Sequence, residues 1–528
     1  MKRLFTSAAL FLCSLLTFAQ FSGSGSGTED DPYLIFNETQ LSQMANFLNQ
    51  EGVVFRLMKD LDLTNWIDEN SPRQGWQPIG VETSPFKGKL IGNNKTISGL
   101  MINRSSSFIG FFGHIEGATI TNLTLKGSSV KGSQYVGVFA GMISNSTLDN
   151  LKVEMTDVVS GDTYVGGLAG QMSNTTATTL HATIEGGVSG TNHIGGLIGG
   201  ANSSSVTPFS VSADVTGTEI IGGAFGAVDN GTFTNGTIVG TITASDGKVG
   251  GAIGEASNCT MENVTMTGNI AADGETGHVA GLAAVVRGTL TLTQCKHFGD
   301  VTGQQVVSGC VGSLEVGASA TFTSCSSKGK ISNTGNYTGG IVAVSRVACI
   351  AAMESCSHFG DIDGKDYIGG IVGAIEGNVQ DNPADLWEWY TGVSGSGSDR
   401  MPAGDKVGSI QNEAISIGAQ SENSINNCTA IGNISGDNII GGIIGLNVPG
   451  VGYTSDGDIY QDFGHWYWLF KNGAFYGNSY GFTYTKYRRN SIKYILTNNN
   501  YTGNIIGSEN IGGIVGLGSV PFSVSEVC

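Results

Sequence analysis

The chain has 528 residues, of which 82 are glycine and only 9 proline; 13% are charged, 40% are hydrophobic, and the net charge is −18. Glycine at about twice its average ~7%, without a G-X-Y period and with so little proline, excludes collagen, and the apolar fraction excludes a disordered chain. Few charges with a strong acidic excess (pI ≈ 4.7) argue against nucleic acid or an anionic membrane as partner.

Residues 1–19 read as a signal peptide: Lys2 and Arg3 precede an apolar run from Leu4 to Phe18, and Thr17-Phe18-Ala19 offers a small-residue cleavage site before Gln20. No later run reaches the ~18 apolar residues of a spanning helix, so no transmembrane segment is expected after signal removal. Residues 20–27, with the run FSGSGSG, are expected to be a flexible linker. Residues 28–105 form the expected N-terminal capping region and first coils. Within them Asn37 precedes apolar Leu41, Met44, Ala45 and Leu48 at helical spacing, which predicts a short capping helix starting near Asn37. Beyond Gly52 the pattern turns strand-like, with Val53 to Leu57 and Leu61 to Leu63.

From residue 106 to 528 the chain repeats itself. An aromatic or polar residue followed by Val/Ile-Gly-Gly-Leu/Ile-Val/Ile-Gly ends at Gly113, Gly141, Gly170, Gly199, Gly226, Gly254, Ala284, Gly312, Ala343, Gly373, Gly445 and Gly516. The steps are 28, 29, 29, 27, 28, 30, 28, 31 and 30, then 72 and 71. A second row, Ile242, Ile270, Val301, Ile331, Ile362, Ile434 and Ile505, keeps the same pace. A period in this range marks a solenoid, propeller or array whose units are stable only when stacked. A step near 29 is short for a four-stranded propeller blade, so the expected fold is all-β: a right-handed parallel β-helix or β-solenoid with a short N-terminal capping helix and two loop insertions. About a dozen coils at ~4.8 Å each would make a rod on the order of 55 to 60 Å long.

Parallel strands place equivalent residues above one another, so Val165, Ile194, Ile221, Val249, Ile368, Ile440 and Ile511 are expected to form one core ladder. The paired glycines that follow, Gly166-Gly167, Gly195-Gly196, Gly222-Gly223, Gly250-Gly251, Gly369-Gly370, Gly441-Gly442 and Gly512-Gly513, should supply positive φ or close backbone approach at a corner. Both Leu197 and Ile198, like Ile371 and Val372, are apolar where one buried face should alternate; either the chain bends between them or the outer residue is covered. Cys295, Cys325 and Cys356 are spaced 30 and 31 residues apart, and Cys428 fills the same slot. The comparable positions hold Leu123 and Val264, which favours buried packing over disulfides. His193 and His278 share the row of Tyr164 and Tyr367 and are expected to be exposed strand residues.

The two doubled steps mark insertions at about 374–427 and 446–500, the places where binding loops emerge in repeat proteins. The first holds Trp387, Trp389 and Tyr390; the second holds Trp466, Tyr467 and Trp468 among many aromatics, and the two inserts are near enough along the repeat to pack together. These six rings are the candidate ligand-binding residues, for sugar faces or a protein partner. They would also serve to build a small satellite core. Asp456, Asp458, Asp462, His465, Lys471, Lys486, Arg488 and Arg489 hold the ingredients of a lyase or hydrolase without a defined geometry, and no catalytic residue is assigned. Asp456, Asp458 and Asp462, and likewise Asp361, Asp363 and Asp366, give a faint calcium pattern that does not fit a twelve-residue loop, so no metal or cofactor is assigned.

The Gly-Gly-Leu/Ile-x-Gly phrases resemble the GLUG motif of exported bacterial repeat proteins. The opening strengthens the resemblance: Gly27-Thr28-Glu29-Asp30-Asp31-Pro32-Tyr33, Trp76-Gln77-Pro78-Ile79-Gly80 and Ile97-Ser98-Gly99-Leu100 are similar to the start of such proteins. It implies a secreted or cell-surface β-solenoid, of a kind often with adhesion-like or unknown roles, and brings no catalytic residues. The resulting expectation is a non-enzymatic surface protein that binds glycans or proteins. The alternative is a β-helix polysaccharide lyase or glycoside hydrolase, which convergent acids with Arg or Lys in one groove would favour. A plain spacer is the third reading.

Overall fold

The computed structural model describes residues 21–376, apart from 276, 316, 347 and 348, then 422–448 and 493–518, plus short strands between and after these stretches. The leader (residues 1–20) lies outside the described residues.

Consecutive coils pair strand on strand, all parallel within the solenoid, in one 39-stranded and one 11-stranded sheet. Ile194 stands in register with Ile221, and both are fully buried. The ladder runs Val136, Val165, Ile194, Ile221, Val249, Val279, Val307, Thr338, Ile368, Ile440, Ile511 without a missing rung. The chain is a parallel β-solenoid.

Each coil has five faces. The first carries the ladder, as in Asn192–Gly195, and the second follows the glycine pair, as in Ile198–Asn202. The third and fourth are Ser319–Thr323 and Ser326–Lys328 in one coil, and the fifth is Ile331–Asn333. In other coils the second to fourth faces run on as one long strand, such as Ile253–Thr267.

The end of the expected ladder needs correction, and one rung between its named members is polar. Ile511 is 46% exposed, because no described coil covers it, and Gly513 has open space where Gly442 meets a neighbour. Thr338 is a polar rung, tolerated because Asn333 Nδ2 donates to its hydroxyl at 3.0 Å.

The glycine corner is built differently from the expectation. None of the motif glycines takes a positive φ; the residue ahead of the ladder does, with Tyr135, Tyr164, His193 and Tyr367 at 55° to 57°. Close approach is what requires the glycines. A Cβ on Gly195 would stand 2.1 Å from the Ile198 carbonyl oxygen within the corner, and one on Gly196 would stand 2.2 Å from the Gly223 oxygen of the next coil. The chain bends there, which turns both Leu197 and Ile198 inward to full burial. Of the two explanations for the paired apolar residues, the bend is the one realised.

The cysteine column is buried and unbridged: Cys295, Cys325, Cys356 and Cys428 are all free thiols. Cys325 Sγ lies 3.4 Å from the Leu292 carbonyl oxygen of the preceding coil. Beside it runs a second inward column in which His297, Ser327, His358 and Ala430 stand in register, each nearly fully buried.

At the N-terminus, helix α1 (Glu38–Ser42) starts where Asn37 Oδ1 accepts the Gln40 N–H at 2.8 Å. After Ser42 the chain tightens into a 3-10 turn over Gln43–Phe47, so Leu41, Met44 and Phe47 face the core and Ala45 is exposed. Residues 21–27 are not a free linker. Phe21 is buried against Tyr33, Phe47 and Phe55, with centroids 4.7 to 6.5 Å away, and the Val54 N–H donates to the Gly27 carbonyl at 2.9 Å. Strand pairing starts with Tyr33 opposite Phe55 and Phe55 opposite Leu90. Sequence reading missed a second short helix, α2 (Thr64–Asn70).

The coil resumes at Glu422 and again at Lys493, which pair with each other, so the insertions shrink to 377–421 and 449–492. Their strands come together. Trp387–Thr391 of the first runs antiparallel to Tyr467–Lys471 of the second, within a four-stranded sheet completed by Lys406–Ser409 and Ala474–Ser479.

Candidate functional site: a re-entrant seam

At Tyr135, Tyr164, His193 and Tyr367 the residue ahead of the ladder has a positive φ and the pairing skips it, as where Thr163 pairs Asn192 and Val165 pairs Ile194; at Lys248, His278 and Tyr337 the same position is paired in register. Outward side chains of the first and second faces meet across the glycine corner and form a seam along the rod. Its chemistry changes from one end to the other.

At the N-terminal end the seam is aromatic. Phe108, Tyr135, Tyr164 and His193 stack on successive coils at centroid distances of 4.9, 5.1 and 4.5 Å. The Tyr164 ring occupies the room left by Gly200, where a Cβ would come within 2.9 Å of it. Burial raises the Tyr164 phenol and lowers the His193 imidazole. Tyr135 and Tyr164 have a ring against each face, which leaves only their edges for a ligand.

In the middle the seam is charged. Glu255 pairs with both Lys248 and, at 3.1 Å, Arg287 Nε of the next coil. His278 Nδ1 lies 2.9 Å from Ser313 Oγ, which donates to Glu315 at 2.7 Å. Arg346 pairs with Glu376 at 2.7 Å and covers the Tyr337 ring at 5.0 Å, while the Tyr337 hydroxyl donates to Glu376. Burial, with Glu376 as acceptor, pushes the Tyr337 phenol up to about 12. Burial also lowers His278. His193 and His278 are thus half-buried seam residues rather than exposed strand residues. At the C-terminal end Tyr337, Tyr367 and Ile439 pack on Val344, Ala374 and Leu446, a small apolar cluster outside the main core.

The residues singled out in the sequence fall elsewhere. Trp387, Trp389, Tyr390, Tyr467 and Trp468 lie in the paired insert strands, with Trp389 opposite Leu469 and Tyr390 opposite Trp468; their side chains, and Trp466 altogether, are outside the described residues. Of the scattered acids and bases, Lys471, Arg488 and Arg489 lie in described strands, and Asp456, Asp458, Asp462, His465 and Lys486 lie outside. Asp361, Asp363 and Asp366 do not converge. Asp361 accepts the Asn433 N–H at 2.8 Å, Asp363 pairs with Lys330 at 2.6 Å, and Asp366 accepts from Asn438 at 3.1 Å. No group of metal-ligating side chains occurs among the described residues.

A signal that sequence reading missed is a column of hydroxyls on the third face. Thr119, Thr147, Thr176, Ser205, Thr232, Thr260, Thr291 and Thr321 stand in register. Thr at outward strand positions follows β-propensity and needs no ligand.

No family model matches the chain. The chain is 39% identical over 140 residues to a protein named a Gly-rich membrane protein from Evansella cellulosilytica, covering 26% of this chain and 16% of that one. It is 40% identical over 121 residues to halomucin of Haloquadratum walsbyi, covering 22% of this chain and 1% of that one. The chain therefore spans a small part of both relatives. Among solved structures it is similar to one provisionally titled an immunoglobulin A1 protease from Bacteroides ovatus, at 19% identity, with 66% of this chain and 79% of that one covered and a TM-score of 0.23. None of the helices among the described residues is long and apolar enough to cross a membrane.

Proposed function

We propose that the chain is an exported, GLUG-like surface β-solenoid that binds glycans or surface proteins without turning them over. Support comes from the two insertions, which leave the rod on adjacent coils and join their strands in one antiparallel sheet carrying Trp389, Tyr390 and Trp468. Strands of the two insertions that pair with each other hold one another's backbone in place, and a pre-ordered surface loses little entropy on binding. The names of the two relatives are compatible with a surface role. The test is a glycan and surface-protein array with the intact protein, repeated with Trp466→Ala/Trp468→Ala. Signals should fall on the order of tenfold while the thermal melt of the rod stays put; retained signals would remove the insert platform from the reading.

A second reading has one observation in its favour. Glu255, Glu315 and Glu376 share the seam with Lys248, Arg287 and Arg346, the convergence expected of a carbohydrate-active β-helix. Each carboxylate already holds a partner, which is how structural ion pairs behave. New reducing ends or unsaturated products on incubation with polysaccharide would establish this second reading over the first.

A further inference from the structure

The fourth face carries an outward column of exposed apolar side chains broken by a lysine. In register run Val239, Thr267, Phe298, Lys328, Phe359, Ile431 and Thr502, and Phe298, Phe359 and Ile431 are 38%, 40% and 42% exposed. We propose that this strip binds an extended, acid-bearing glycan lying along the rod axis. The inference rests on the glycan-binding reading above and names its ligand class and its place.

Three features select that occupant. The first is width: the strip is one side chain across, flanked on one side by Lys296, Ser326, Ser357 and Thr429. A stable protein interface buries roughly 800 Å² per partner, which so narrow a strip does not supply, whereas a single glycan chain needs no more. The second is spacing. Phe298 and Phe359 are two strands apart, about 10 Å, so their rings can meet alternate sugars of an extended chain while flanking hydroxyls meet its edges. The third is charge. Lys328 sits in register between the rings and Lys296 beside Phe298, and neither makes an ion pair among the described residues of a chain whose net charge is −18. The acids lie at the next corner rather than in the strip and are held there: Asp300 accepts the Lys330 N–H at 2.7 Å and Asp361 that of Asn433 at 2.8 Å, both keeping their charge, while Asp363 pairs with Lys330.

The strip is also rigidly backed. Beneath it Ser327 lies 2.8 Å from His358 Nδ1 and donates to the Gly340 carbonyl at 2.7 Å, and His297 reaches the Gly268 carbonyl at 3.0 Å. A surface held this way is pre-organised for a flat ligand.

The test uses the full chain with oligomannuronate and the equally β-linked neutral mannan oligosaccharide, by calorimetry at low and moderate salt. Oligomannuronate should bind more tightly than the neutral chain and weaken with salt. Phe298→Ala/Phe359→Ala should lower affinity on the order of tenfold, and Lys328→Gln a few-fold with a shallower salt dependence. Both variants change exposed side chains, and unchanged thermal melts will show that the rod is intact. Equal binding of the neutral and acidic chains overturns the ligand class. Unchanged affinity in the Phe double variant overturns the strip while leaving glycan binding at the inserts standing. No binding of either probe overturns the proposal, and only an array silent for every glycan also overturns the reading beneath it.

Discussion

His297 and His358 lie in the core with 1% exposure, and burial brings both down to about 4. Their neutral forms are the folded forms, so between ~6.5 and ~4 the unfolded chain holds the extra protons. Their contribution to stability is complete above pH ~6.5 and is lost as pH falls toward ~4, by up to roughly 3 kcal/mol each. Melting temperatures should drop on acidification across that window, and the drop should be smaller in His297→Met, a substitution for which Met266 one coil earlier is the precedent. A melt with the same pH slope in the variant would show that this histidine is not the titrating group. The thiols give a second residue-scale test. Burial raises Cys349 to about 12, and every described cysteine is buried, so thiol reagents should label these seven positions, mapped by mass spectrometry, far more slowly in the native protein than in the denatured one. Rapid native labelling at any of these seven would mean that the core around it opens to solvent.

At the scale of elements, legibility followed periodicity. The ladder, the glycine pairs and the cysteine slot were readable because each recurs at the coil spacing, and recurrence at that spacing means contact. What the sequence hid lay where a conformation is set by neighbours rather than by repetition. The positive φ belongs to Tyr164 and His193, bulky residues that no propensity places there, and not to the glycines beside them. Phe21 sits in a Gly- and Ser-rich run with the composition of a linker, yet one ring among Tyr33, Phe47 and Phe55 is enough to tie that segment down. The seam was invisible for the same reason, since Lys248 meets Glu255 only once the corner of their own coil is formed, and Arg287 meets it only once the next coil is stacked. Helix α1 was legible at its start, where Asn37 caps it, and misread after Ser42, where the 3-10 turn shifts Phe47 inward in place of Ala45. Asn37→Ala should cost about 1 kcal/mol, seen as a lower melting temperature of the N-terminal coils by hydrogen exchange. An unchanged exchange pattern would mean that the aromatic cluster alone holds the cap.

For the whole molecule, stability is a sum over coil-to-coil interfaces, and the unit that can be removed is the coil. Deleting residues 227–254, one step of 28, joins Gly226 to Glu255 in the same relation that Gly254 has to it. The interface that re-forms places second-face strand Ile198–Asn202 beneath a strand whose register with the lost coil was Val228 to Ala256. Every ladder then closes over the gap: Ile221 meets Val279 in place of Val249, and Thr232 is replaced in its column by Thr260. The shortened chain should fold to a rod about 5 Å shorter by solution scattering, with a similar spectrum and a modestly lower melting temperature. Deleting only the first half of that segment has the opposite consequence. It shifts the apolar ladder out of phase and sets inward rows against outward ones, so the coils on either side lose their shared core and that variant should aggregate or unfold. If both deletions behave alike, stacking of matched side chains is not what holds the rod together.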